Sequence, residues 1–281
     1  ERLRPDVVTL DVEMPRKDGL ETLRDLMKTN PLPVVMLSSM TQSGARTTME
    51  ALALGAVDFV AKPSGPISLD INQVQAELVR KVKSAALARV QRKTVVAGRG
   101  ARPRFQPTVR KKSAIPRFPV SFSSSTRPDV VVAIGASTGG PRALETVIGQ
   151  LPKDLPAGVL VVQHMPAGFT RSMAERLDQI SSIRVKEAEH GDRIRHGVVY
   201  IAPGDYHMVV SADGVIEVEQ TPPVNYVRPS VDVTLLSLPS VYSHHLVGVI
   251  LTGMGRDGAA GMARIKAGGG VTIVQDESTS T

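Results

Sequence analysis

Eight short runs of apolar, mostly β-branched residues restrict what this chain can fold into more than any other feature. They are Val7-Val8-Thr9-Leu10, Val34-Val35-Met36-Leu37, Val57-Asp58-Phe59-Val60, Val130-Val131-Val132-Ala133-Ile134, Val159-Leu160-Val161-Val162, Val198-Val199-Tyr200-Ile201, Val247-Gly248-Val249-Ile250-Leu251 and Val271-Thr272-Ile273-Val274. A strand with one wet face alternates apolar and polar residues. These runs do not alternate, so both faces are expected to be covered, as in parallel sheets flanked by helices. The intervening stretches support this: Leu20, Leu23 and Met27 share one helical face, as do Val74, Leu78, Val82 and Ala85. The exception is Met208 to Glu217, where central Asp213-Gly214 predicts a hairpin. The expected class is α/β, with active residues at the carboxyl ends of strands.

One segment breaks the pattern. Residues 91–128 hold five prolines, a serine run at 123–125 and ten basic residues but no acid, with no periodicity. The whole chain carries a formal charge of +7, so the remainder is −3 without this segment. The positive charge therefore belongs to a linker, expected to be a solvated tether, with a basic arm for an acidic partner or nucleic acid as the other reading. Three regions follow: 1–90, 91–128 and 129–281. There is no cysteine, no apolar run near the roughly 18 residues of a membrane span, and no signal segment. A soluble, cytoplasmic, monomeric chain without membrane insertion is expected.

In the first region Asp11 follows the first run, Ser38 ends the second, and Lys62-Pro63 ends the third. Three such strand ends would converge on one sheet edge, where a carboxylate could take a phosphoryl group. Asp11 alone could equally be a turn or capping residue. Together these residues resemble the latter half of a response-regulator receiver domain. The resemblance implies Asp11 as phosphoacceptor, Ser38 as phosphoryl-sensing hydroxyl, Lys62 as cation and Phe59 as switch aromatic. It also implies Asp11 and the Glu13 carbonyl as Mg²⁺ ligands. Two further acidic residues of that family's magnesium site are missing, because the chain starts just before what would be the third strand. The half-domain is therefore expected neither to fold alone nor to accept phosphate.

In the last region the strand at 130–134 runs into Gly135-Ala136-Ser137-Thr138-Gly139-Gly140-Pro141. Gly-x-Ser-x-Gly fits a strained strand-to-helix elbow that presents a nucleophilic hydroxyl, and Pro141 suits a first helical turn. A phosphate or dinucleotide loop with Ser137 as a mere cap fits too. The next strand ends at Gln163-His164-Met165-Pro166, and a later one delivers Thr252-Gly253-Met254-Gly255-Arg256-Asp257-Gly258. His164 could accept the serine proton, and Asp257 could orient it or merely cap a helix. His244 and His245 precede a strand and so stand at its wrong end. The preferred order is Ser137, His164, Asp257.

These motifs, with Ile201-Ala202-Pro203-Gly204, Pro222-Pro223-Val224-Asn225 and Arg228-Pro229-Ser230-Val231-Asp232, strongly resemble the CheB family of chemotaxis protein-glutamate methylesterases. The implied fold is a partial flavodoxin-like receiver domain, a linker, and a mostly parallel, doubly wound Rossmann-like hydrolase domain with a β-hairpin. The implied roles are Ser137 as nucleophile, His164 as base and Asp257 as orienter, with the Met254 amide, supported by Thr138, forming the oxyanion hole. The esterase step is expected to need no cofactor; phosphorylation of a complete receiver domain would need Mg²⁺. The implied partners are methyl-accepting chemotaxis receptors, whose glutamyl methyl esters are hydrolysed and whose glutamines are deamidated, and a histidine kinase that relieves inhibition by the receiver. Nucleic acid is not expected. Two departures stand out: Tyr226-Val227 replaces the family's Arg-His, and the chain stops at Thr281 before an expected further strand and helix. Rival readings are a nucleotide-binding module, a DNA-binding output domain and a non-catalytic docking domain. The first is weakened because His164 stands where a ribose-binding acid belongs.

Overall fold

A computed structural model describes residues 4–62, 71–88 and 128–280. The expected linker lies outside them, Pro128 apart.

The first part is built from β1 (Val8–Asp11), α1 (Gly19–Thr29), β2 (Val34–Ser38), α2 (Gln42–Leu54), β3 (Asp58–Ala61) and α3 (Ile71–Leu87). Both β1–β2 and β2–β3 pair in parallel, so Asp11, Ser38 and Ala61 end at one edge. Helix starts follow local chemistry: the Asp18 carboxylate accepts from the Glu21 amide at the head of α1, and the Thr41 hydroxyl accepts from Gly44 at the head of α2. One sheet face packs Met36 and Phe59 with Leu20, Leu23, Met49 and Leu52 of α1 and α2. The other packs Val35 and Val60 with Val74, Leu78, Val82 and Ala85 of α3.

The second part contains β4 (Val131–Ala136), α4 (Gly140–Ile148), β5 (Gly158–Gln163), α5 (Phe169–Ile180), β6 (Arg184–Glu187), β7 (Val198–Ile201), β8 (His207–Val210), β9 (Ile216–Glu219), α6 (Val231–Ser237), α7 (Pro239–Tyr242), β10 (Leu246–Ile250), α8 (Ala259–Ala267) and β11 (Val271–Val274). Six strands form one sheet in the order β11-β10-β4-β5-β7-β6, every pair parallel. Its strand β6, Arg-Val-Lys-Glu, was not foreseen; at the sheet edge only Val185 is fully buried, so the apolar run that marks the inner strands is missing. Strands β8 and β9 form the expected hairpin as a separate antiparallel pair.

Because alternate residues of a strand face opposite sides, β4 sends Ile134 and Ala136 to the α4–α5 layer and Val131 and Ala133 to the layer of α6 and α8. The order of connection reverses between β10 and β4, and such a switch point leaves a crevice beyond the carboxyl ends of the strands.

The two parts share one apolar cluster. Phe59 of β3 stacks on Phe169 of α5, with ring centroids 4.4 Å apart and planes 25° from parallel. Ala45 and Met49 of α2 belong to the same cluster, and Arg46 lies 3.8 Å from Glu175.

Candidate active site

Ser137 follows β4, His164 follows β5 and Asp257 follows β10, so neighbouring parallel strands bring three side chains to the crevice. The Ser137 Oγ lies 3.2 Å from His164 Nδ1, and His164 Nε2 lies 2.8 Å from Asp257 Oδ2. Ser137 is only 9% exposed, so its hydroxyl sits below the surface.

Local sequence explains this position. The Ser137 amide donates to Thr252 O at 3.0 Å, and Gln163 Nε2 donates to Ser137 O at 2.9 Å. The serine backbone is thus tied to the strands on both sides. The anticipated strain is not on the serine: Ser137 is absent from the residues with positive φ, and the left-handed turn falls at Gly139, φ 75°. Glycine tolerates that conformation without steric penalty, which leaves the Ser137 backbone relaxed. Gly253 is required for a different reason, since a Cβ there would lie 2.6 Å from the Ser137 Cβ.

Asp257 does not cap α8; Gly258 takes the N-cap position, with no side-chain cap. Its carboxylate instead collects donors. Oδ1 accepts from Ser230 Oγ at 2.7 Å, Asn225 Nδ2 at 2.9 Å and the Asp232 amide at 3.2 Å, while Oδ2 accepts from the Val231 amide at 2.6 Å as well as from His164. Burial, the largest single influence, pushes its pKa up. The hydrogen bonds from His164, Ser230, Asn225 and Val231 together outweigh burial and hold the carboxyl far below the usual carboxylate range. An ionised Asp257 keeps the imidazole proton on Nε2, which leaves Nδ1 as the acceptor facing serine.

Asn225 and Ser230 lay in motifs visible in the sequence, yet their role was not. A serine at the head of a helix was the available signal; Ser230 caps α6 by accepting from Val233. Behind it stands buried His207, whose Nδ1 accepts from the Ser230 amide at 3.1 Å and whose Nε2 lies 3.1 Å from Pro222 O. Nothing in the sequence pointed to His207.

Among the described residues, the backbone amides of Thr138 and Met254 make no internal hydrogen bond. Both are the kind of free donor an oxyanion needs, and Thr138 directly follows Ser137. His244 and His245 lie just ahead of β10, at the end remote from the crevice.

In the first part, Lys62 Nζ meets Asp11 Oδ2 at 2.6 Å, and the Glu13 amide donates to Asp11 Oδ1 at 3.0 Å. Partial burial is the largest influence on Asp11 and raises its pKa, but the Lys62 and Glu13 contacts prevail and lower it. Ser38 is fully buried and its hydroxyl donates to Gly44 O at 3.1 Å, so it makes no hydrogen bond to Asp11. The Glu13 carboxylate accepts from Ser39 instead. Among the described residues no group of three or more His, Cys, Asp or Glu could hold a metal ion, and the Mg²⁺ ligands that the resemblance implies, Asp11 and the Glu13 carbonyl, supply only part of an octahedral shell. Phe59 lies under Lys81, whose Nζ is 4.8 Å from the ring centroid.

Family models match residues in both parts. A family model described as CheB methylesterase matches residues 132–281, and one for the response regulator receiver domain matches residues 1–71. A protein-glutamate methylesterase/protein-glutamine glutaminase of Symbiobacterium thermophilum is 55% identical over 99% of this chain and 76% of its own length. A like-named protein of Archaeoglobus fulgidus is 51% identical over 99% of this chain and 76% of its own length. The solved CheB methylesterase catalytic domain of Thermotoga maritima is 47% identical, with a TM-score of 0.53 over 54% of this chain and 82% of that one.

Proposed function

Because the chain belongs to the CheB methylesterase family and carries receiver sequence ahead of the catalytic part, we propose that it hydrolyses glutamyl methyl esters on methyl-accepting chemotaxis receptors through Ser137, His164 and Asp257. The chain is a hydrolase of two-component chemotaxis signalling. Its substrate, its triad and the division at 1–90, 91–128 and 129–281 are parts of the proposal. The observation that carries it is the unbroken hydrogen-bonded path from the Ser137 hydroxyl through both ring nitrogens of His164 to Asp257.

In this reading His164 Nδ1 takes the Ser137 proton as Oγ attacks the ester carbonyl, and the Thr138 and Met254 amides receive the oxyanion. The protonated ring then gives that proton to the departing methoxide, releasing methanol. Water attacks the acyl-enzyme as Nδ1 accepts its proton, and the ring returns that proton to the Ser137 oxygen as it leaves, with a glutamate as product. Asp257 stays ionised and stabilises the imidazolium. The imidazole is turned relative to the familiar serine-protease arrangement, where Nε2 faces the serine. A glutamine side chain would enter the same path with ammonia as leaving group, which accounts for deamidation.

Methanol release from a methylated chemoreceptor, compared between the wild-type chain and Ser137→Ala, tests the proposal. Equal rates would remove the enzyme assignment. For the receiver part, phosphorylation at Asp11 by a histidine kinase is proposed as the control. Among the described residues no helix is long and apolar enough to cross a membrane.

A further inference from the structure

Beside the triad lies a turn that neither packing nor local preference explains. Val224 and Val227 exchange backbone hydrogen bonds of 3.1 and 3.0 Å across Asn225 and Tyr226. Both central residues have positive φ, 54° and 65°, as in a type I′ turn. Asparagine is at ease there, and the Asn225 amide reaches Asp257 Oδ1 at 2.9 Å and Asp232 Oδ2 at 3.1 Å. The next position normally belongs to glycine. Here it holds a tyrosine that is 102% exposed, so its ring gains nothing from burial in the folded chain. A bulky residue kept in a strained conformation with no internal contact points to an external one.

A second loop carries another exposed apolar side chain. Met254 follows Gly253, which abuts Ser137, and is itself 41% exposed. Two apolar side chains are therefore presented from two loops, each covalently next to a residue that contacts the triad. Since Ser137 as a whole is only 9% exposed, a glutamyl ester reaches it by inserting its side chain, while the backbone and neighbouring side chains of the substrate stay at the rim.

Resting on the methylesterase reading, we infer that Tyr226, with Met254, forms the rim contact that recognises apolar residues flanking the esterified glutamate of the protein substrate. Tyr226 is a specificity-determining residue and takes no part in proton transfer. It distinguishes an ester carried on a folded protein from the same ester on a small molecule.

The test uses the full chain with two substrates, a methylated chemoreceptor and the small ester N-acetyl-glutamyl γ-methyl ester methylamide. Tyr226→Ala is expected to raise KM for the receptor roughly three- to tenfold, the range of one aromatic contact, with kcat unchanged. The small ester is expected to be turned over as by wild type. Tyr226→Phe is expected to retain wild-type KM. Tyr226→Asn is expected to lose receptor affinity like alanine while melting no lower than wild type, because asparagine relieves the turn. An unchanged receptor KM in Tyr226→Ala, or equal losses on both substrates, would overturn the inference. If wild type released methanol from neither substrate, the methylesterase reading would fall and this inference with it.

Discussion

Asp257, the orienting residue of the proposed mechanism, shows how much arrangement such a role demands. Five hydrogen bonds converge on its carboxylate, and only one comes from the imidazole it serves. Removing Asn225, by Asn225→Ala, is expected to lower kcat on the small ester by about tenfold, since a hydrogen bond to a charged group is worth about 1.5–3 kcal/mol. Asp257→Asn is expected to lower it on the order of 10⁴-fold, as loss of the carboxylate does in the serine-protease triad. The depressed pKa also has a stability consequence. Its contribution is fully present above the unfolded carboxyl value of about 3.9 and is lost as the pH falls through the lower folded value. The urea midpoint of wild type should therefore exceed that of Asp257→Asn most at neutral pH, with the gap narrowing below about pH 4. A gap that does not change with pH would contradict this account. The meeting of Ser137, His164 and Asp257 was legible because each follows a recognisable strand. Its supports were not, because Asn225, Ser230 and His207 come from loops and a hairpin that converge only through tertiary packing.

Elements carry this geometry by rigid attachment. The Gly253 Cα sits so close to Ser137 that Gly253→Ala would bring a Cβ within 2.6 Å of the serine Cβ. This variant is expected to fold, with an unchanged circular dichroism spectrum, but to lose at least tenfold in kcat through displacement of Ser137, the proposed nucleophile. Among elements, the inner strands announced themselves by apolar runs, and α1 and α3 by their stripes. Edge strand β6 was missed because mixed polar residues suffice at an edge, where one side of the strand has no neighbour. The buried lysine of α3 was equally hidden. Lys81 pairs with Asp58 at 3.2 Å and with Glu77 at 2.9 Å; burial opposes its charge, yet the two acids keep its pKa above the ordinary value. Lys81→Met leaves Asp58 buried without its cation. It is expected to destabilise the chain by about 3–5 kcal/mol, measurable as a fall in the urea midpoint.

At the scale of the whole molecule, the receiver and catalytic parts meet through α2, β3 and α5, with Phe59 on Phe169 at the centre. The sequence disclosed two α/β parts but not this contact, because nothing in an apolar ring marks the ring it will pack against. If Asp11 controls the esterase, Asp11→Asn in a version carrying a complete receiver domain should leave basal methanol release intact and abolish its response to a phosphodonor. Full stimulation of that variant would end the proposal. The Phe59–Phe169 stack sets a further condition on any such control. Separating the halves wets two aromatic rings, so the equilibrium between joined and parted forms must lean on solvent as well as on phosphate. Urea and cooling weaken apolar association and will favour the parted form, whereas sulfate and sucrose will hold the halves together. The state of this enzyme is thereby tied to the medium that bathes it.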